Sequence, residues 1–179
     1  MDKRIIKITA LVFLALAVIV AYPWLREKLS GSKTETPNSI SLSGFTKDTV
    51  SKIVIAKGSD EKNLNFKDNK WFIGDDEADE NKVDQFFQNL HNLKTGTMVS
   101  QNEDNQGKFN VTKDNPDFKL TLSQNGQNSV FLIGKSGIAI NDFYIRKEGI
   151  KNVYLVNGEL RNALGWSVDQ WKKTATNKK

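Results

Sequence analysis

A single apolar segment near the N-terminus constrains this chain more than any other feature. Between Ile5 and Leu25 the only charged residue is Lys7. A helix of this length is roughly 30 Å long at about 1.5 Å per residue, which matches the hydrocarbon core of a bilayer. The segment has no polar face, which disfavours a helix in the core of a globular domain. The sequence therefore predicts an uncleaved transmembrane anchor that contacts the lipid bilayer through residues 5–25.

The residues that flank this segment predict its orientation. An excess of Lys and Arg marks the cytoplasmic side of a membrane segment, and Tyr and Trp favour the lipid–water interface. The flanking residues of these types are Lys3, Arg4, Lys7, Tyr22, Trp24 and Arg26. We therefore expect residues 1–26 to form a cytoplasmic N-terminus and a single-pass anchor in the cell membrane, with the rest of the chain outside the cytoplasm.

A cleaved signal peptide is the alternative interpretation of the same segment. Such a signal needs small residues one and three positions before the cleavage site. Cleavage after Ala21 would put the large Ile19 at the third position. Cleavage after Ala17 would suit Ala15 but would leave an apolar remnant at residues 18–20. The uncleaved anchor is the preferred prediction.

Charge is unevenly distributed along the chain. The net charge is +5, but residues 1–28 carry +3 and residues 172–179 carry +4, so that residues 29–171 carry −2. A basic groove is the usual electrostatic mark of a nucleic-acid-binding domain. No nucleic-acid partner is therefore predicted.

Composition shifts divide the chain into four parts. Residues 27–45 are small, polar and interrupted by Pro37, as in a flexible linker with a reach on the order of 20–25 Å. Residues 46–173 are predicted to form a single α+β domain. Residues 174–179 are predicted to be a basic, disordered tail.

Periodicity within the domain predicts a mainly antiparallel β-sheet. The predicted strands are residues 52–56, 63–67, 70–73, 97–100, 118–123, 130–133, 142–146 and 153–156. Turns are expected at Asp68-Asn69, between two predicted strands, and at Asn125-Gly126. The Asn-Gly dipeptide is a strong hairpin signal. Residues 101–115 are expected to form a polar loop held by Phe109 and Val111.

Helical periodicity is confined to two places in the domain. Apolar residues recur at helical spacing from Val83 to Leu93, which predicts one longer helix over about residues 79–93. A short helix is expected over residues 158–164, with Trp166 and Trp171 packing the C-terminal segment back onto the sheet. The predicted fold class is α+β: a transmembrane helix, an antiparallel sheet domain, one longer helix and short C-terminal helices.

Few residues of the sequence indicate a catalytic or metal-binding role. The chain has no cysteine and a single histidine, His91, which excludes thiolate nucleophiles, disulfides and Cys/His zinc sites. The sequence nominates no nucleophile or carboxylate partner for His91. We therefore predict no catalytic residue, no cofactor and no metal ligand, and expect a protein that is not an enzyme.

Two further motifs are better explained by structure than by ligands. The acidic run from Asp75 to Glu80 does not fit a calcium loop, because Glu80 stands at the position that requires glycine. It is predicted to lead into and cap the following helix. The triplet Gly134-Lys135-Ser136 lacks the upstream glycine of a phosphate loop and is predicted to lie in a hairpin turn. Residues 138–140 are predicted to be extended.

Aromatic residues in the predicted strands are the remaining candidates for a site. Such residues most often pack in a core or across strands, but they can also line a sugar- or peptide-binding face. The candidate interaction face consists of Trp71, Phe143, Tyr144 and Tyr154.

The order of short motifs in the domain resembles a known family. The motifs are Trp71-Phe72-Ile73, the helix Val83–Leu93, Leu132-Ile133-Gly134, Tyr144-Ile145-Arg146 and Val153-Tyr154-Leu155-Val156. Over residues 48–172 they resemble the bacterial domain of unknown function 4340 family. The resemblance implies an envelope protein with an N-terminal membrane segment, and some members are encoded near gliding-type ABC-transporter components. It implies no catalytic residues.

Three functions remain open on the sequence. The first is a non-catalytic, membrane-anchored domain outside the cytoplasm that joins a membrane or envelope protein complex, with a transporter as one such complex. The second is a ligand-binding module for envelope glycan or peptide, using the aromatic face. The third, with the least support, is a hydrolase.

Overall fold

A computed structural model describes residues 39–174 of the chain. No helix within this range is long and apolar enough to cross a bilayer. The predicted anchor at residues 5–25 lies outside the described residues, as do its flanking residues, most of the linker and residues 175–179.

Within the described range, nine strands form one antiparallel sheet with a few short helices. The strands are β1 (Val50–Lys57), β2 (Asp60–Lys67), β3 (Lys70–Ile73), β4 (Asp76–Glu77), β5 (Lys94–Ser100), β6 (Phe118–Gln124), β7 (Gln127–Ser136), β8 (Asp142–Lys147) and β9 (Val153–Asn157). The helices are α1 (Glu80–His91), a 3-10 helix (Glu103–Phe109), α2 (Leu160–Leu164) and α3 (Val168–Trp171). The predicted longer helix and all eight predicted strands are confirmed, and β4 and the 3-10 helix are additions.

The strand order requires a connection between the two edges of the sheet, and α1 lies in that connection. Across the sheet the order is β4-β3-β2-β1-β6-β7-β8-β9-β5. The strands β4 and β5 therefore form opposite edges of the sheet, and α1 is the connection between them. Its apolar stripe, made of Val83, Phe86, Phe87 and Leu90, is buried in the main core with the alternate residues of the strands. One face of the sheet is thus covered by the helix.

Tight hairpins set the register on either side of the sheet centre. Asp68 and Asn69, between β2 and β3, have positive φ values of 51° and 61°. Asn125 and Gly126, between β6 and β7, have φ values of 53° and 76°. Two consecutive left-handed residues are the geometry of a two-residue hairpin turn. Both predicted turns are confirmed.

The C-terminal segment packs on α1 and on the β4 edge. The ring centroid of Trp171, which is fully buried, lies 5.7 Å from that of Phe86 and 5.1 Å from that of Trp166. The backbone also pairs Lys172 with Ala78. The prediction that both tryptophans pack onto the sheet is therefore refined, because Trp171 packs against the helix that covers it.

Paired charges reinforce this attachment. Lys173 and Lys70 donate hydrogen bonds to the Glu77 carboxylate over 2.8 Å and 3.2 Å, and these bonds hold the pKa of that carboxyl below its ordinary value. Because the folded pKa is lowered, this stabilisation is present above the ordinary pKa of a glutamate and is lost as the pH falls through the folded value. The pair is solvent-exposed, so its contribution is small.

A second, smaller cluster lies on the opposite face of the sheet. Residues 102–111, called the covering segment below, place Val111 against Leu132 and Val153, all three fully buried. The 6 % exposed Arg146 donates from Nε to the Val111 carbonyl over 2.8 Å and from Nη1 to a turn carbonyl over 3.0 Å. Burial lowers the pKa of Arg146. The predicted anchoring of this loop at Val111 and Phe109 is confirmed.

The domain begins earlier than the predicted linker boundary at residue 45. Ile40 and Leu42 are each 1 % exposed and belong to the main core. They alternate with serines, a strand-like pattern that the polar composition of residues 27–45 obscured. The predicted linker therefore ends before Ile40 rather than at residue 45.

Candidate functional site

The most exposed apolar residues of the described chain lie between β7 and β8. Ile138 and Ile140 are 103 % and 87 % exposed, whereas the next most exposed large hydrophobic residues, Ile150 and Val168, reach 41 %. Single exposed apolar residues are common on protein surfaces, so the pair on one loop is what distinguishes this surface from the rest of the described chain. We call residues 137–141 the apolar tip.

The apolar tip corrects a sequence prediction. The turn was expected at Gly134-Lys135-Ser136, followed by an extended segment. In the structure β7 continues through Ser136, and the turn comprises residues 137–141. No helix follows the triplet, in agreement with the rejection of a phosphate loop. The isoleucines therefore stand at the end of a hairpin instead of inside a strand.

Backbone hydrogen bonds close the turn of the apolar tip. The Gly137 amide donates to the Asp142 carbonyl over 2.8 Å, and the Asp142 amide donates to the Ala139 carbonyl over 3.1 Å. The Ala139 amide also donates to Asp142 Oδ2 over 3.3 Å. Asn141 adopts the left-handed conformation, with a φ of 64°, which asparagine tolerates better than most residues.

Groups from Asn157 of β9 and from the two residues that follow it fasten the apolar tip to the domain. Asn157 Nδ2 donates to the Ile140 carbonyl and to Asp142 Oδ1, both over 2.8 Å. The Gly158 amide donates to the Asn141 carbonyl over 3.1 Å, and Asn141 Nδ2 donates to a Glu159 carboxylate oxygen. The tip is therefore held on both sides of its turn.

Close packing at Gly137 adds to this restraint. A Cβ atom at Gly137 would lie 2.7 Å from Asp142 Cβ and 2.8 Å from Leu155 Cδ1. A side chain at residue 137 would therefore force the loop away from Asp142 of β8 and displace the Leu155 side chain of β9. The backbone of the apolar tip is thus restrained by hydrogen bonds and close packing, while its two isoleucine side chains lie outside the domain core.

Removing the Asn157 side chain is expected to loosen the tip without unfolding the domain. Asn157→Ala deletes both 2.8 Å bonds. Each hydrogen bond contributes about 0.5–1.5 kcal/mol, so we expect a loss of about 1–2 kcal/mol and faster hydrogen exchange in residues 137–142. Asn63→Ala, which removes only an exposed bond to Glu61, is the control. Unchanged exchange in the tip would contradict the proposed restraint.

Burial of the tip by a partner would be favourable. Fully burying an isoleucine side chain is worth about 1.5–3 kcal/mol, so two give roughly 3–6 kcal/mol before the costs of association. A rigid tip with stiff β-branched side chains has little conformational entropy to lose on binding. The arrangement can therefore support docking.

The predicted aromatic face does not form. Trp71, Phe143 and Tyr154 are at most 1 % exposed and belong to the main core. Tyr144 points to the opposite side of the sheet, where its ring centroid lies 4.6 Å from that of Phe109. The structure therefore separates Tyr144 from the other three and leaves no shared exposed surface.

The structure places His91 beside a shallow depression of about 300 Å³ next to α1. Phe45 and Lys47 form its other side. Burial lowers the pKa of Lys47, but hydrogen bonds to Asp84, over 2.7 Å, and to Glu80 outweigh it and raise the pKa overall. Among the described residues, no three His, Asp or Glu side chains are grouped as metal ligands would be.

The acidic run before α1 acts as a structural element, as predicted. Asp79 is the N-cap of α1 and accepts a hydrogen bond from the Asn81 amide over 2.9 Å. Asp76 forms an ion pair with Lys172 over 2.9 Å. The helix-capping interpretation is therefore confirmed.

The fold and the apolar tip define a small antiparallel α+β domain. The family described as domain of unknown function (DUF4340) matches residues 71–176, more than half of the chain, and the chain therefore belongs to this family. No curated protein and no solved structure matches the chain.

Proposed function

We propose that this protein is a non-catalytic interaction domain of the cell envelope that is anchored in the membrane and docks through its apolar tip. The observation that carries the proposal is the near-complete exposure of Ile138 and Ile140 on a backbone held by hydrogen bonds. Exposed apolar surface on a rigid loop is costly for solubility and favourable for binding.

The membrane anchor of this proposal rests on the sequence. Residues 5–25 contain one charge, and the basic residues before them favour an N-terminus in the cytoplasm. The domain would then lie outside the cytoplasm, where a membrane or envelope protein complex is its expected partner. The aromatic residues on which the glycan- or peptide-binding alternative was based are mostly buried, which supports the docking proposal over that alternative.

Replacing both exposed isoleucines tests the docking role. The double variant I138S/I140S is expected to change the free energy of unfolding by no more than about 0.5 kcal/mol, because these side chains lie outside the core. It is expected to abolish co-purification of partner proteins with the tagged full-length chain from membranes. Chemical denaturation and affinity capture measure the two effects.

Matched variants control for general surface effects. Val99→Ser with Val168→Ser removes two other exposed apolar side chains, 39 % and 41 % exposed, and is expected to leave capture unchanged. A variant lacking residues 1–28 is expected to leave the membrane fraction. Equal recovery of the same partners by wild type and I138S/I140S would refute docking through the tip.

A further inference from the structure

We propose that the hairpin turn Asn125-Gly126 is a site of spontaneous deamidation, whereas the fold protects the second Asn-Gly step of the chain, Asn157-Gly158. Asparagine is one of the thermolabile residues of proteins. It reacts fastest before glycine, because glycine has no side chain to hinder attack by its own backbone nitrogen. This inference does not depend on docking through the apolar tip.

The modification proceeds in two balanced steps, with water as the co-reactant. The backbone nitrogen of Gly126 gives up its proton to solvent and attacks Cγ of Asn125. A carbon–nitrogen bond forms, the side-chain carbon–nitrogen bond breaks, and ammonia leaves with the returned proton. Water then opens the resulting five-membered succinimide ring. Opening at Cγ gives aspartate, and opening at the backbone carbonyl carbon gives isoaspartate, so that either product carries one new carboxylate.

The structure leaves the Asn125-Gly126 turn accessible to this reaction. Both residues are exposed, and the Asn125 side chain makes no hydrogen bond within the described part of the chain. A Cβ atom at Gly126 would have no heavy atom within 4 Å, so the space around the turn is open. Neither the attacking nitrogen nor the leaving amide is therefore held by packing.

The backbone of this turn is one peptide rotation away from the reactive geometry. The succinimide ring holds the asparagine ψ near the value of the first central residue of a type II′ turn. Asn125 already has the positive φ of that position, 53°. Types I′ and II′ both close two-residue hairpins, and Gly126 accepts either sign of φ. The peptide between the two residues can therefore rotate while Gln124 and Gln127 stay paired.

Hydrogen bonds hold both reacting groups of the Asn157-Gly158 step. The Gly158 amide, which would be the nucleophile, donates to the Asn141 carbonyl over 3.1 Å. Asn157 Nδ2, which would leave as ammonia, donates to the Ile140 carbonyl and to Asp142 Oδ1, both over 2.8 Å. The backbone of Asn157 is also paired with β8 on one side and β5 on the other. Reaction at this step requires the apolar tip to open.

Modification of Asn125 would weaken the start of the domain. The adjacent Gln124 donates from Nε2 to the Gly44 carbonyl over 3.1 Å and to Thr49 Oγ1 over 2.7 Å. An isoaspartyl linkage adds one carbon to the backbone of the turn and shifts the ends of β6 and β7 relative to each other. We therefore expect faster hydrogen exchange in residues 44–50 of the isoaspartyl form than in the fresh protein.

The rates of deamidation at the two Asn-Gly steps test the proposal. The full-length protein is incubated in mildly alkaline buffer, folded in detergent micelles or denatured in urea, and peptide mapping by mass spectrometry follows conversion of each amide to a carboxyl group. In the folded protein we expect Asn125 to react at least tenfold faster than Asn157. In urea we expect rates within about threefold of each other. Asn125→Asp supplies the aspartyl reference, so that a second product of equal mass is identified as isoaspartate.

Gly137→Ala is the variant that tests protection by the tip, because a Cβ atom there lies 2.7 Å from Asp142 Cβ and would push the loop outwards. We expect it to accelerate deamidation of Asn157 at least threefold and to leave the rate at Asn125 unchanged. Circular dichroism confirms that the variant is folded. An unchanged rate at Asn157 in the folded variant would overturn the protective role of the tip.

Other outcomes would overturn the remaining parts of the inference. An Asn125 side chain that stays intact in the folded protein but reacts in urea would show that the turn is protected. Equal rates at Asn125 and Asn157 in the folded protein would show that the fold does not discriminate between them. A difference in urea as large as that in the folded protein would assign it to neighbouring residues. Equal hydrogen exchange of residues 44–50 in the fresh and isoaspartyl forms would overturn the predicted consequence.

Discussion

Replacing Trp171 with alanine is expected to lower the free energy of unfolding by about 3–5 kcal/mol, the usual cost of removing a buried tryptophan. Trp171 is fully buried between Phe86 of α1 and Trp166. Its indole Nε1 has no hydrogen-bond partner among the described residues, so the loss comes from packing. The same substitution is expected to release the C-terminal segment from Glu77, because the backbone bond from Lys173 to Glu77 follows directly after α3.

Urea denaturation followed by far-ultraviolet circular dichroism measures this loss, since removal of a tryptophan would disturb a fluorescence signal. Val168→Ala, on the same short helix but 41 % exposed, is the matched control and is expected to cost less than about 0.5 kcal/mol. A loss below about 1 kcal/mol for Trp171→Ala would show that the C-terminal segment is not part of the cooperative core.

The second large effect is expected at Gly134 in β7. A Cβ atom there would lie 1.9 Å from the Phe109 carbonyl oxygen and 2.8 Å from Val111 Cγ1. Overpacking of this kind costs about 1–3 kcal/mol or more, and backbone atoms cannot move aside cheaply. Gly134→Ala is therefore expected to lift the covering segment from the sheet and to expose Leu132 and Val153.

Limited proteolysis and chemical denaturation detect that change. Cleavage within residues 102–116 is expected to accelerate, and the free energy of unfolding is expected to fall by at least about 2 kcal/mol. Gly107→Ala is the matched control, because a Cβ atom at Gly107 has no heavy atom within 4 Å. Equal rates of proteolysis and equal free energies of unfolding for Gly134→Ala and Gly107→Ala would show that the missing side chain at Gly134 is not what allows the covering segment to pack on the sheet.

Local signals predicted most of the secondary structure. The Asp68-Asn69 and Asn125-Gly126 turns, and the apolar spacing from Val83 to Leu90, depend on neighbouring residues alone, and all three are confirmed. Strand order depends on contacts distant in sequence, so the position of α1 between the two edge strands could not be predicted. The burial of Ile40 and Leu42 likewise requires the tertiary core.

The candidate site was harder to predict from the sequence than the secondary structure. Alternation places the neighbours Phe143 and Tyr144 on opposite faces of their strand, but it does not show which face α1 covers. Ile138 and Ile140 alternate as in a strand, and their exposure depends on bonds from Asn157 and Gly158, which follow them by some 20 residues. The bracketing Gly137 and Asn141 were the available turn signal.

The central claim is that a rigid turn presents Ile138 and Ile140 to solvent. Backbone ¹⁵N relaxation of the full-length protein in detergent micelles tests it most directly. We expect order parameters of about 0.85 for residues 138–141, equal to those of β7 and β8. Values below about 0.6 in the tip, with rigid flanking strands, would contradict the account.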